Sequence, residues 1–171
     1  VILSRLLRRD IMGVGKKELG QIPLIGQILE FSGVVLIDRK DTEKAIAAMS
    51  KLVDMMQIEG KSVCISPEGT RSLTPKLAPF KKGAFHLAMQ AGVPVVPIVI
   101  QNSGDVNPKG SSIYHPATVD VEVLPPVDTS KWRVDTLDEH IDSVRDLFLH
   151  TLEQERERRM RTPGSLKVVK K

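Results

Sequence analysis

The sequence predicts an α/β fold, a mostly parallel mixed sheet flanked by helices in a single domain. Three observations carry this expectation. Short runs rich in Val and Ile arrive near Ile11, Val34, Val63, Val95 and Val119. Between most of them lie stretches whose apolar residues recur at helical spacing, the alternation that builds α/β sheets. The chain has 171 residues, 41% hydrophobic and 27% charged, and such a chain buries roughly 70% of its unfolded surface.

Val1 to Arg8 places Ile2, Leu3, Leu6 and Leu7 on one helical face. The chain opens without Met and already inside this apparent helix, so a natural start further upstream is expected. Ile11-Met12-Gly13-Val14-Gly15 reads as a strand, and Lys16-Lys17-Glu18-Leu19 begins a short helix. In the run from Ile22 to Phe31, Pro23 suits a first helical turn. That run is unusually apolar, and three readings fit it: core packing, a membrane interface or the lining of an acyl-chain tunnel. Gly33 to Ile37 is a buried strand ending in Asp38-Arg39-Lys40. Asp41 and Thr42 cap a helix with Ala45, Ile46, Met49, Leu52, Val53 and Met56 on its inner face, stopped by Gly60.

The strand Ser62-Val63-Cys64-Ile65 runs into Ser66-Pro67-Glu68-Gly69-Thr70-Arg71-Ser72. Lys81 to Ala91 is helical and Gly92 closes it. Val93 to Ile100 is strand-like, and Pro94 and Pro97 assign it to an edge or an irregular ladder. A polar loop follows, then a half-exposed strand from Thr118 to Leu124, then a long amphipathic helix from Asp135 to about Arg161. Its apolar stripe is Leu137, Ile141, Val144, Leu147, Phe148 and Leu152. The expected organisation is a core over 1–126, the amphipathic helix within 127–161 on or beside that core, and a flexible basic tail over 162–171.

Composition excludes several classes. A lone cysteine, Cys64, forbids an internal disulfide and favours a reducing compartment. Its apolar strand makes it an inert packing thiol. No window of 18 apolar residues is present, so the chain holds no membrane-spanning helix, and no signal-peptide pattern is visible. Gly13-Val14-Gly15-Lys16-Lys17 lacks the spacing and hydroxyl of a P-loop. C-x-x-C and H-E-x-x-H are absent, so no metal site is suggested. The net charge is +4, and from Arg156 to Lys171 seven Lys/Arg face a single acidic residue. A second basic cluster is Arg5, Arg8, Arg9, Lys16 and Lys17. Such ends meet anionic lipid or nucleic acid, or are simply solvated. Aromatics are only 4% and none alternates with the basic clusters, which argues against a stacking platform for nucleic acid.

The stretch Ser66–Ser72 has two readings on physical grounds. It is an anion-binding turn, because it stands at the carboxyl end of a strand and combines a permissive Gly, two hydroxyls and a bidentate Arg. It is equally an ordinary strand-to-loop turn.

Four blocks in order then bring a resemblance. Ser66-Pro67-Glu68-Gly69-Thr70-Arg71-Ser72 resembles the F-P-E-G-T-R-S block of the glycerolipid acyltransferases, the family that contains 1-acylglycerol-3-phosphate acyltransferase. Lys16-Lys17-Glu18-Leu19 with Ile22-Pro23-Leu24-Ile25-Gly26 resembles its K-K-E-L…I-P-x-x-G segment. Gly33 to Arg39 resembles G-x-x-x-I-D-R, and Val93 to Pro97 resembles V-P-[IV]-[VI]-P. Phe80-Lys81-Lys82-Gly83-Ala84-Phe85 matches the usual sequence between the last two, and the whole likeness covers about 1–126.

This resemblance implies transfer of a fatty acyl group from coenzyme A or acyl carrier protein to lysophosphatidic acid, giving phosphatidic acid, without cofactor or metal. It implies a phosphate-binding role for Arg71 and Arg39, aided by Lys16 or Lys17. Glu68, Gly69, Thr70, Ser72 and Pro97 shape the site. A peripheral place on the cytoplasmic face of a membrane follows, with no nucleic-acid partner. The family's general base and its orienting partner form an H-x-x-x-x-D pair. That pair is expected upstream of Val1, so these residues alone are expected to be inactive. His115 and Asp120 have the spacing but stand after the last block, and read as coincidence; His86, His140 and His150 read as structural or surface residues. Ser66 stands where the family usually has an aromatic. The wording from Ile65 to Ser72 and from Phe80 to His86 also resembles bacterial members fused to an upstream phosphatase-like domain. The alternatives are a non-catalytic phospholipid-binding module of the same fold, and a basic adaptor that works through its tail.

Overall fold

The strand Ile11–Lys16 (β1) lies between two shorter strands and pairs with both in parallel, as expected of an α/β chain. In the computed structural model the described residues are 11–31, 34–38, 41–70, 74, 76–107, 110 and 113–161. The apparent helix at 1–8, Arg39, Arg71, Ser72 and the basic tail lie outside them. The chain divides into two compact units, Val1–Gly69 with Lys81–Val93, and Thr70–Phe80 with Pro94–Lys171.

In the first unit the sheet order is β2-β1-β3, where β2 is Val35–Ile37 and β3 is Ser62–Cys64. Gly15 pairs with Leu36 and Gly13 with Cys64. The glycines leave room on one face of β1: a Cβ at Gly15 would stand 3.1 Å from the Leu36 side chain and 3.3 Å from Val34. After β1 come two short helices, α1 (Lys17–Gly20) and α2 (Ile25–Phe31). They approach so closely that a Cβ on Gly26 would collide with the carbonyl oxygen of Gly20. Helix α3 (Thr42–Ile58) starts where the Asp41 carboxylate accepts a hydrogen bond from the Lys44 N–H at 3.1 Å, an N-cap. It stops before Gly60, whose φ of +64° a side chain would resist.

Helix α4 (Gly83–Ala91) ends at Gly92, also left-handed at φ +65°, and the Val93 N–H returns to the Ala88 carbonyl. Met12, Ile37, Leu52 and Leu87 form the centre of this unit, with Val14, Val35, Met49, Val53 and Met56 packed on them. Leu52 is fully buried. Ile46, expected on the inner face of α3, is 61% exposed; the helix turns Ala48, Met49, Leu52 and Met55 inward instead.

In the second unit, β4 (Ile98–Ile100) and β5 (Val121–Val123) pair antiparallel as a separate two-stranded sheet. The regular ladder is shorter than the apolar run suggests. Pro94 and Pro97 have no N–H to donate, so only an isolated bridge, Val95 to Val127, precedes β4. Residues 113–120 carry no regular structure, and the strand expected from Thr118 begins at Val121. A short helix α5 (Ser103–Val106) follows β4. Helix α6 (Leu137–Arg161) buries Leu137, Ile141, Val144 and Thr151, the four-residue and seven-residue spacing of one face. Leu147, assigned to that face in the sequence, is exposed. Trp132 is buried and stacks on His140 with ring centres 5.1 Å apart.

Candidate functional site

Sheet order decides where a ligand can sit in the first unit. Order β2-β1-β3 places the switch in winding direction between β1 and β3, and the crevice beyond the carboxyl ends at such a point is where open α/β sheets take ligands. The last paired positions there are Gly13 and Cys64. Lys16 stands as far beyond the first as Pro67 beyond the second, so the Lys16-Lys17 end of β1 and the Pro67-Glu68-Gly69 turn leave the same edge.

The turn is made by the backbone. The Gly69 N–H donates to the Ser66 carbonyl at 3.1 Å, closing a four-residue turn with Pro67 in its second position. Gly69 is left-handed at φ +70°, which explains why glycine stands there. The Pro67 carbonyl accepts the Lys81 N–H at 2.7 Å, so the chain returning to α4 is fastened to the turn it left. Ser66 is exposed, and Pro67, Glu68 and Gly69 are half-buried. The turn therefore presents its backbone at the surface with its ends fixed.

Positive charge flanks this edge. Lys16 is exposed, and Lys17 pairs with Asp38 at the end of β2, Nζ to Oδ2 at 3.2 Å. That pair is solvent-facing and contributes little to stability, so it yields easily to a stronger anion. Cys64 leads into the turn; burial pushes its thiol up, which keeps it protonated and a poor nucleophile. Of the remaining site residues, Thr70 is exposed and Pro97 buried, both in the second unit. Arg39, Arg71 and Ser72 fall outside the described residues. His115 is exposed, with its N–H on the Val106 carbonyl, and it precedes the strand rather than entering it. His86 is half-buried on α4 and His150 exposed on α6. Among the described residues no group of three or more His, Cys, Asp or Glu is arranged for a metal ion.

The segment after β1 shows what sequence patterning left open. Leu19, Ile22, Leu24, Ile28 and Phe31 are all exposed, Leu24 to 72% and Phe31 to 94%. Leu24 is left-handed at φ +68°, a conformation that costs a non-glycine residue of the order of 1–3 kcal/mol. A strained backbone that turns a leucine outward is an uncommon use of stability, and no periodicity announces it. Asp38 was legible as a strand end but not as the partner of Lys17. Arg145 was hidden too, because its carbonyl partners, Leu77 and Ala78, lie far upstream.

Comparison with known proteins shows the family and the fold. A family model described as Acyltransferase matches residues 1–101. The 1-acyl-sn-glycerol-3-phosphate acyltransferase of Limnanthes douglasii is 36% identical over 141 residues, 82% of this chain and 50% of that protein. The Escherichia coli protein of the same name is 35% identical over 158 residues, 91% of this chain and 64% of its own length. That of Saccharomyces cerevisiae is 32% identical over 155 residues, 90% of this chain and 51% of its own. This chain thus spans about half to two thirds of these relatives. The crystal structure of the 1-acyl-sn-glycerophosphate (LPA) acyltransferase PlsC from Thermotoga maritima superposes with a TM-score of 0.68 at 24% identity, over 86% of this chain and 57% of that one, which shows a shared fold. No helix among the described residues is long and apolar enough to cross a membrane.

Proposed function

The chain belongs to the acyltransferase family, and from that premise we propose that the protein acylates lysophosphatidic acid to phosphatidic acid. The acceptor's free hydroxyl attacks the carbonyl carbon of an acyl thioester, carried by coenzyme A or acyl carrier protein. A C–O ester bond forms, the C–S bond breaks, and the hydroxyl proton passes through a general base to the departing thiol. The thioester is already activated, so the step asks for no further cofactor. The general base is assigned to the His of an H-x-x-x-x-D pair, with the Asp holding the imidazole in its working orientation.

The grip on the acceptor is assigned to the residues around the Ser66–Gly69 turn. Arg71 and Arg39 are assigned to the phosphate, with Lys16 and Lys17 adding charge. Glu68, Gly69, Thr70 and Ser72 shape the turn, and Pro97 is architectural. The observation that carries the reading is the Ser66–Gly69 turn at the carboxyl edge of the parallel sheet, leaving the same edge as two lysines. An anionic headgroup suits that edge. The exposed apolar row from Leu19 to Phe31 begins directly after those lysines, which supports a peripheral seat on the cytoplasmic leaflet, cations at the headgroups and apolar side chains below them.

The test is direct. Full-length protein is incubated with an acyl thioester and lysophosphatidic acid, and products are read by mass spectrometry. Phosphatidic acid forming at the rate of thiol release is the expected result. Tight binding of lysophosphatidic acid without transfer would overturn the enzyme reading in favour of a non-catalytic lipid-binding module.

A further inference from the structure

Leu24 is a leucine where the backbone favours glycine. It stands between α1 and α2 at φ +68°, the left-handed region that a Cβ disfavours. The turn around it has little latitude. The Gly26 N–H donates to the Ile22 carbonyl at 2.9 Å, which closes the chain around Pro23 and Leu24. The Ile28 N–H donates to the Leu24 carbonyl at 3.0 Å, which starts α2. Gly20 and Gly26 approach so closely that position 26 admits no Cβ. Glycine at position 24 would take this conformation without strain, as Gly60 and Gly92 do. Packing does not offset the strain of the leucine, whose side chain belongs to a residue 72% exposed. Its surroundings are of one kind. Leu24, Ile28 and Phe31 stand four and three residues apart, so they share one helical face, and all three are exposed. From Leu19 to Leu29 no residue is charged, although Leu19, Ile22, Leu24 and Ile28 are exposed. Charge begins at the border, with exposed Lys16 and Lys17 and one acid, Glu18. An uncharged apolar face bordered by two cations complements a lipid surface that carries anionic headgroups.

We propose that Leu24 is the residue this protein inserts into an anionic membrane surface, and that its left-handed backbone is retained for that contact. The inference rests on the reading that the row from Leu19 to Phe31 seats the protein on lipid, and it assigns the centre of that seat to one side chain. The hydrogen bonds at Ile22 and Leu24 set the turn in the free protein. The strain is therefore met once, in folding, and binding orders little that is not already ordered. Burial of the leucine among acyl chains then supplies the favourable term that the fold itself does not. Ile28 and Phe31 follow on the same face, and Lys16 and Lys17 stand at the headgroups.

The experiment uses the full-length protein with Leu24→Gly, Leu24→Asn and Leu24→Met. Glycine and asparagine accept a left-handed backbone but bring no apolar side chain, and methionine keeps one on the same strained backbone. Co-sedimentation with vesicles of phosphatidylcholine and phosphatidic acid, and with vesicles of phosphatidylcholine alone, measures partitioning. Thermal unfolding without lipid measures the fold. Wild-type protein should prefer the anionic vesicles. Leu24→Gly and Leu24→Asn should partition onto them about tenfold more weakly, the scale of one lost leucine, while Tm stays level or rises. Leu24→Met should partition like the parent. Equal partitioning of the parent and both polar-side variants would overturn the role of Leu24 and leave the membrane seat standing. A Tm lowered by several degrees in both would also overturn it, because Leu24 would then be packed against the protein's own chain. Equal binding of wild type to both kinds of vesicle would overturn the anionic part of the proposal. Wild type that sediments with neither would sink the reading of a membrane seat itself.

Discussion

At the scale of single residues, the chain separates what chemistry can announce from what only packing reveals. Gly69 was legible, because a glycine between Glu68 and Thr70 after a strand signals a left-handed turn, and its φ is +70°. Asp41 was legible for the same kind of reason: a carboxylate before an amphipathic run is a cap. The Lys44 side chain, then its backbone N–H, holds the Asp41 carboxyl below its ordinary value of 3.8. A carboxyl with a lowered folded pKa stabilises the fold above its unfolded pKa, and that contribution is lost as pH falls through the folded value. Acid unfolding between about pH 4 and pH 2 should therefore be shallower in Asp41→Asn than in the parent, with the two curves parallel near neutrality. Circular dichroism across that range checks it, and identical acid limbs would show that ionisation of Asp41 contributes nothing. Leu24 and Arg145 were not legible. A left-handed leucine and a guanidinium on two distant carbonyls leave no trace in spacing or composition.

At the scale of elements, periodicity located nearly every helix and strand but not always the side that faces inward. Helix α3 was found with its start and stop, yet Ile46 faces solvent because Met49, Leu52 and Met56 already fill the contact. The strand around Val95 was shortened by its prolines, a cost foreseeable from the missing donors. The segment from Leu19 to Phe31 is the instructive case. Its sequence admitted core, tunnel and membrane readings, and the described structure leaves Leu19, Ile22, Leu24, Ile28 and Phe31 exposed. If this row rests on lipid, Phe31→Ser should weaken partitioning onto vesicles that contain phosphatidic acid by about tenfold, the transfer energy of one aromatic ring. Co-sedimentation measures this, and equal partitioning would remove α2 from the membrane surface.

At the scale of the whole molecule, the α/β class followed from the alternation of elements, and the family from four blocks standing in order. The division into two units was not legible, because contacts such as Phe80 with Phe148, within the second unit, join residues far apart in the chain. The proposed function gives the chain one task above all, a grip on the acceptor's phosphate. The measurement that tests it most directly is the steady-state kinetics of Arg71→Ala in the full-length protein, with lysophosphatidic acid and acyl thioester varied separately. Loss of a charge-assisted contact of about 1.5–3 kcal/mol predicts a fall of roughly 10- to 100-fold in kcat/KM for lysophosphatidic acid, with the thioester KM unmoved. An unchanged kcat/KM for the acceptor would contradict the account.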